Sequence, residues 1–409
     1  DAAEIPNLSA NKITSDTLAD ARVPDLNTSK ITAGTLSDAR LPANALNSNV
    51  SVPNQSAFRN IIINGDMSIA QRGTSTASVT TTGYYTCDRF QWITGYGTVT
   101  LSQDTDVPTG QGFATSFKAD VTTAGTEASG GYVLVRQRFE GQNLQYLKKG
   151  TANAESLTAS FWIKSTKTGT YICELFDVDN NRQISKSYTV DTTNTWEKKI
   201  LTFAGDTTGA LGNDNGGSLF LNLYLSAGTD YTSGTLNTSW AASVNANRVV
   251  GQVNAQDSTS NNIYFTGVQL EAGTTASDFE FLPFDVQLNR CKRYFEKSVQ
   301  YSTTPANGAD SPTNGGANGW IAFNTSNIRT PSISFKCEKR ATPSIVIYRG
   351  SNSTSGNMGW FNGSSWQDGG NTINKIRPKG FYGAYESNST FTQFSGYLMD
   401  FSWTADSEL

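Results

Sequence analysis

A tandem repeat near the start of the chain restricts its fold more than any other feature. Residues 6–23, PNLSANKITSDTLADARV, run directly into residues 24–41, PDLNTSKITAGTLSDARL, and the copies align without a gap at ten identical positions, from Pro6/Pro24 to Arg22/Arg40. The large aliphatic residues Ile5, Leu8, Ile13, Leu18, Val23, Leu26, Ile31, Leu36 and Leu41 recur at intervals of 3, 5, 5 and 5, twice over. Neither a helix, with a period of about 3.6, nor the two-residue alternation of a strand sustains that rhythm. One chain alone buries too little apolar surface here to offset the roughly 1–2 kcal/mol per residue that backbone ordering costs. If identical chains run in parallel, each aliphatic rung meets its own copies on a common axis. The repeat therefore predicts a homo-oligomeric shaft cored by those nine residues. Thr17 and Thr35 are placed to cap a single turn through Asp20–Arg22 and Asp38–Arg40, and Pro24 and Pro42 force the preceding residue back to extended geometry. The other reading is a flexible low-complexity linker, and the phase kept between copies argues against it.

The pattern I-P-x-L followed by K-I-T-x-G-T-L-x-D-A-R-L-P resembles the shaft repeats of bacteriophage tail fibres. The resemblance implies a parallel homotrimer, a place in the virion tail after assembly in the host cytoplasm, and a receptor on the bacterial surface. Asp1 stands where Met would open a complete chain, so an upstream part that joins other virion tail proteins is expected.

Composition narrows the function classes. Only 16% of the 409 residues are charged, Gly numbers 37, and hydrophobic residues reach 37%, the profile of an all-β protein with many loops. The net charge of -4 and the lack of any basic block make nucleic acid an unexpected partner. No apolar run approaches the roughly 20 residues that span a bilayer, and DAAEIPNL has none of the regions of a signal peptide, so membrane insertion is not expected. Cys87, Cys173, Cys291 and Cys337 never form a C-x-x-C pair and are expected as buried free thiols. The chain has no His, which removes Ser-His-Asp and Cys-His catalysis and imidazole metal sites.

The expected architecture is a trimeric fibrous shaft and linker (1–57), a jelly-roll β-sandwich (58–285), a helical junction (286–297) and a distal small β-sandwich tip (298–409). In FRNIIINGDM, Ile61–Ile63 reads as a buried strand closed by a sharp Asn64-Gly65 turn. Strand-like runs follow at 84–93, 132–140, 159–164, 171–178, 197–203, 219–225 and 263–270, the run LFLNLYL being apolar enough for burial on both faces. NIIINGDM at one end and YFTGVQLEAG at the other resemble the framing of jelly-roll carbohydrate-binding modules. The likeness brings Asp66 and Glu271 forward as oxygen ligands for a structural calcium; the plainer reading has Asp66 capping a turn and Glu271 in solvent. Asp177, Asp179 and Asn181 imitate the opening of a calcium loop, but Arg182 and Tyr188 occupy its sixth and twelfth positions, so a hairpin tip is the better reading.

VQLNRCKRYFEK, introduced by Asp285, reads as a helix with Leu288, Cys291 and Phe295 on one face and its basic residues in solvent or against a neighbouring subunit. It resembles the junction E-L-x-x-C-x-R-Y-F-E of phage tail-fibre proteins, with Asp285-Val286-Gln287 in place of the usual start. In the tip, 319–323, 332–337, 344–348, 381–385, 391–394 and 397–403 read as strands. FSWTADSEL resembles the last strand of such fibre tips.

Glycan recognition needs flat aromatic faces for the apolar side of a pyranose and polar side chains for its hydroxyls. NMGWFNGSSWQDGGN supplies Trp360, Phe361 and Trp366 beside Asn362, Gln367 and Asp368, in a stretch that looks too irregular for a core strand. Trp320, Tyr382 and Tyr385 are weaker candidates, and Trp162, Trp196 and Trp403 are expected in the core. For Trp360 and Trp366, packing in the core or between subunits stays open.

The leading expectation is a non-enzymatic receptor-binding fibre that attaches a virion to host polysaccharide or lipopolysaccharide. A polysaccharide depolymerase tail spike is the alternative, distinguished by release of reducing ends. The carboxylate pairs Asp177/Asp179 and Asp278/Glu280 have only the spacing of any exposed hairpin. A purely structural tail component is the third reading, distinguished by glycan-array silence with intact virion incorporation.

Overall fold

Side-chain parity makes the first lobe a sheet. In Leu157–Ser165, Phe161 and Ile163 are fully buried while Trp162 and Lys164, one residue on in each case, are only half-buried. Such alternation places one face of a strand on a core and the other outward. The computed structural model describes residues 58–409 except 310–316, 325–326, 330–331, 350–357, 362, 369–371, 387–390 and 393–394. The shaft positions Ile5, Leu8, Ile13, Leu18, Val23, Leu26, Ile31, Leu36 and Leu41, and with them the expected trimer core, lie outside the described residues.

Thirteen strands build a β-sandwich: β1 (Ser75–Val79), β2 (Gly83–Tyr84), β3 (Gln91–Thr94), β4 (Thr98–Asp104), β5 (Ser116–Thr123), β6 (Tyr132–Glu140), β7 (Leu157–Ser165), β8 (Gly169–Asp177), β9 (Arg182–Val190), β10 (Glu197–Phe203), β11 (Gly217–Ala227), β12 (Ala241–Ala242) and β13 (Asn262–Ala272). A six-stranded sheet runs β1-β4-β5-β13-β7-β10 and faces a seven-stranded sheet, β12-β9-β8-β11-β6-β3-β2, with antiparallel pairing throughout. Phe117, Phe161, Phe265, Tyr171, Leu221, Leu223 and Trp92 fill the space between the sheets. Strand β11 is buried on both faces, as its run of apolar residues predicts, because the loop between β11 and β13 folds back over the seven-stranded sheet. Val249 and Tyr231 from that loop pack on Ile93, Leu134, Ile172 and Tyr224. Arg248 pins the loop by donating two hydrogen bonds, at 2.8 and 2.9 Å, to the fully buried carboxylate of Glu174.

The expected strand Ile61–Ile63 is instead an irregular plug. Its backbone is held at one end by β13, where Ile61 N–H donates to Leu270 O at 2.8 Å, and at the other by an amide side chain: Ile63 N–H donates to Gln137 Oε1 at 2.7 Å, and Gln137 Nε2 donates back to Ile63 O at 2.9 Å. Asn64 closes the turn with a positive φ of 65°. Gly65 is required there, since a Cβ would lie 2.0 Å from Val268 O. The run 84–93 also divides, into β2 and β3, around a buried turn carrying Asp88 and Arg89.

The junction helix (Phe284–Lys292) starts earlier and ends sooner than its pattern suggests, and Phe295–Lys297 forms strand β14. The basic residues of this segment are not all in solvent. Arg293 donates two hydrogen bonds, at 2.7 and 2.6 Å, to Glu140 of β6, and Tyr294 Oη donates to the same carboxylate at 2.6 Å.

Beyond it lie β15 (Ala317–Asn324), β16 (Asn327–Arg329), β17 (Ser332–Ser334), β18 (Ser344–Arg349), β19 (Gly359–Phe361), β20 (Trp366–Asp368), β21 (Thr372–Arg377), β22 (Gly380–Glu386) and β23 (Gly396–Asp406). Among the described residues the tip strands, β14 included, form one ten-stranded sheet rather than two separate ones. Its spine is β23, which pairs with β15 and β19 along its first half and with β14 and β18 along its second. The sheet coils over on itself, so that Phe381 of β22 meets Trp403 of β23 with ring centroids 5.8 Å apart around the tip core.

The sandwich and tip belong to one compact unit, Ala57–Leu409. After β23 the chain returns to the sandwich: Glu408 pairs with Arg72 and Arg89, and Leu409 O accepts from Tyr84 Oη at 3.1 Å. All four cysteines are free thiols, buried at 87, 173 and 291 and half-exposed at 337. Among the described residues no helix is long and apolar enough to cross a membrane.

Candidate functional site

In the tip, strand parity separates the aromatic residues of GWF and WQD. Trp360 points inward: only 7% exposed, it packs edge-on against Phe391 at 4.8 Å and Tyr397 at 5.7 Å. This corrects the expectation that Trp360 offers a free face, and both Trp360 and Trp366 belong to strands of the sheet rather than to an irregular loop. Phe361 and Trp366 are register partners across the β19–β20 hairpin, half-buried, with ring centroids 5.5 Å apart. Gln367, also half-buried, donates from Nε2 to Ser365 Oγ at 2.7 Å. The accessible aromatic surface of this hairpin is therefore the Phe361–Trp366 pair at its open edge. Asn362 lies outside the described residues, as do the side chains of Asp368, Trp320, Tyr382 and Tyr385.

A second aromatic cluster lies on the outer face of the six-stranded sheet, where the sequence suggested core residues; Tyr264 and Phe113 are buried within it, Trp162, Trp196 and Phe279 are half-buried, and Phe281 is exposed. Trp196 donates from Nε1 to Asp106 Oδ1 at 2.9 Å and stands edge-on to Tyr264 at 6.1 Å. Lys118 and Lys164 approach the same Tyr264 ring at 5.3 and 5.0 Å. Burial would raise the Asp106 carboxyl, but the hydrogen bonds from Lys164 and Trp196 outweigh it and hold the group below its ordinary range. Trp162 shares this face, and Gly267 with φ of 61° lets the Phe113 ring close over the strand, since a Cβ there would lie 2.5 Å from that ring and 3.1 Å from Trp162. Phe113, Phe279 and Phe281 then extend the strip, with centroids 4.8–5.2 Å apart. The signal was present in F-W-I-K: with Phe161 and Ile163 inward, Trp162 and Lys164 must face out. Trp403 is in the tip core, as its pattern suggests.

The proposed calcium ligands do not converge. Ile61 N–H donates to Leu270 O and Val268 N–H to Gly65 O, an antiparallel register that leaves Glu271 beside Arg59 at one end and Asp66 beyond Gly65 at the other. Glu271 accepts from Gln269 Nε2, Ser277 N–H and Ser277 Oγ at 2.7–2.9 Å, and Asp66 accepts from Ser68 Oγ at 3.0 Å. No cluster of three or more acidic or thiol groups that could hold a metal occurs among the described residues. Asp177 and Asp179 flank the β8–β9 hairpin tip. Asp177 is fully buried in an ion pair with Lys149, and Asp179 accepts from Gly212 N–H at 2.8 Å.

A cleft of about 410 Å³ opens where the plug, the end of β6 and the junction helix meet. Phe58 and Tyr146 supply rings, Gln142 and Asn143 amides, and Arg138 and Arg290 positive charge. Burial alone would raise Glu140 at its floor, yet the hydrogen bonds from Arg293 and Tyr294 hold that carboxyl below the usual range.

These features define an all-β body with two packed lobes and outward aromatic surfaces. No protein-family model and no curated sequence matches the chain. Among solved structures it is similar to the enzymatically active domain of tailspike protein 4 of bacteriophage CBA120, with TM-score 0.28 and 16% identity over 52% of this chain, a match that spans 21% of the tailspike chain. It is also similar to the family 11 carbohydrate-binding module of Clostridium thermocellum, with TM-score 0.24 and 12% identity over 50% of this chain and 98% of the module. For the family 22 xylan-binding domain of a Paenibacillus barcinonensis xylanase the TM-score is 0.24 and the identity 13%, over 49% of this chain and 94% of that domain.

Proposed function

We propose that this protein is a receptor-binding fibre of a bacteriophage tail, a parallel homotrimer that attaches the virion to polysaccharide or lipopolysaccharide on a bacterial surface without cleaving it. The observation that carries the reading is the in-phase repeat of residues 6–41, leading into an all-β body with aromatic rings turned outward. Phe361 and Trp366 present a tilted aromatic pair at the open edge of the tip, the kind of surface on which the apolar face of a sugar stacks. A single such contact is weak. Three tips on one shaft convert later contacts into intramolecular ones and raise avidity without new interactions.

Binding rather than hydrolysis is favoured by the state of the carboxylates that sequence offered for catalysis. Asp177 is committed to Lys149, and Glu280 Oε2 accepts from the Asn60 backbone N–H at 2.9 Å. Adsorption of the fibre to host cells, compared between the native chain and Trp366→Ala, tests the reading. Loss of adsorption with the oligomer intact supports it, and unchanged adsorption places recognition elsewhere. Release of reducing ends from host glycan would refute the non-enzymatic part.

A further inference from the structure

We propose that the cleft between the sandwich and the junction helix is a second binding site, selective for an anionic sugar residue whose acid group is a carboxylate or a phosphate. The inference rests on the glycan-attachment reading for its ligand class but on different residues.

Four charged side chains, Arg138, Arg290, Arg293 and Glu140, line the cleft. Glu140 is already committed: Arg293 donates two hydrogen bonds to it and Tyr294 a third. Arg138 and Arg290 form no ion pair among the described residues, although the Glu280 carboxylate lies near enough to Arg290 to favour its charge. The guanidinium of Arg138 meets no hydrogen-bond acceptor there; its Cζ lies 5.0 Å from the Phe220 ring, and its Nε is buried and unpaired. Arg290 makes one long contact from Nη2 to Asn60 O at 3.5 Å, while its Nη1 is buried without a partner.

A guanidinium carries five N–H donors in a planar fork, and leaving them unmade in a partly desolvated place is costly. Both side chains are half-buried, so their charge is felt at the cleft without full screening by water. An acid group entering the cleft beside the junction helix takes up the open Nη1–H of Arg290, and Arg138, which lines the same cleft, adds positive charge; the bidentate geometry a guanidinium offers is shared by carboxylate and phosphate. The neighbouring groups suit a sugar around that acid. Phe58, 58% exposed at the mouth, and Tyr146 offer ring faces, and Gln142 and Asn143 offer amides to hydroxyls. A volume of about 410 Å³ is within the range of small-ligand sites.

The test uses the full chain at low salt, with calorimetric titration of three probes: a glucuronic acid oligosaccharide, a neutral glucose oligosaccharide of equal length, and glucose 6-phosphate. The expected result, measured in the Trp366→Ala background so that the tip pair does not contribute, is binding of one or both acidic probes, at least tenfold weaker when Arg138→Gln or Arg290→Gln is added and partly kept with Arg290→Lys. Glucuronate binding alone assigns the acid as a carboxylate, and glucose 6-phosphate binding as a phosphate. Thermal melts of each variant separate lost binding from lost folding, and Arg290→Lys, which keeps the charge, serves as the folded control. Equal binding of the neutral probe, acidic binding indifferent to both arginine substitutions, or no binding of either acidic probe would overturn the site. If the arginine variants lower oligomer stability while no sugar binds, the cleft is a contact between chains and the proposal also fails. A fibre whose adsorption depends on Trp366 but which ignores both acids loses only this site, not the attachment reading.

Discussion

Glu408 forms a buried ion pair with Arg89, and the Arg89 guanidinium lies 3.4 Å from the centre of the Tyr294 ring. Three segments distant in sequence meet there: the β2–β3 turn of the sandwich, the turn between the junction helix and β14, and the residues after β23. The contact explains why the two lobes form one unit.

Removing both partners should cost less than the two single removals added together. Glu408→Gln leaves Arg89 buried without a counter-charge and should destabilise the body by about 3–5 kcal/mol. The double substitution Arg89→Met with Glu408→Gln should lose less than the sum of the single changes. Chemical denaturation of the four forms measures the coupling.

Parity within the tip strands makes a paired prediction. Trp360→Ala should open a core cavity and cost about 3–5 kcal/mol, whereas Trp366→Ala, at the half-exposed hairpin edge, should leave the melting midpoint nearly unchanged and abolish adsorption. Equal stability losses in the two variants would contradict the assignment of inner and outer faces.

At Gly267, any side chain must adopt a positive φ and meet the Phe113 ring at 2.5 Å. Gly267→Ala should destabilise the sandwich by about 1–3 kcal/mol. It should also displace Phe113, which the aromatic signals of a spectrum of the folded protein would report.

Acid should loosen the junction. Glu140 is held below the ordinary carboxylate range in the folded protein, so its contribution is complete above the unfolded value of about 4.3 and disappears as pH falls through the lower folded value. Asp88 works in the opposite sense: burial lifts it to about 6, so its ionisation disfavours the fold as pH rises from about 3.9 to that value. Stability curves of the native chain and Glu140→Gln should therefore differ at neutral pH and converge below about pH 4.

The sequence made the strands of the sandwich legible wherever alternation was strong. The strands at 132–140 and 197–203 have the bounds their patterns suggest, and the burial of β11 on both faces follows from its composition. What escaped were features fixed by distant partners. Ile61–Ile63 is apolar enough for a strand, but Gln137 takes the place of a neighbouring strand. The helix pattern of 286–297 runs on through Tyr294 and Phe295, yet pairing of β14 with β23 draws the last residues into a sheet. Trp360 looked like a surface residue because its neighbours are Gly, Ser and Asn, and only its register with Met399 shows that it faces the core. The arginines of the cleft look solvated in sequence, since nothing local reveals that the available carboxylate is already taken.

The mass of the purified chain in solution tests the central claim most directly. Three times 44.1 kDa by sedimentation equilibrium is the expected value, falling toward a single chain when Ile13 and Ile31 are both replaced by Asp while the sandwich melt is unchanged. A native chain that sediments as a monomer would contradict the shaft, and with it the avidity on which attachment by weak aromatic contacts depends.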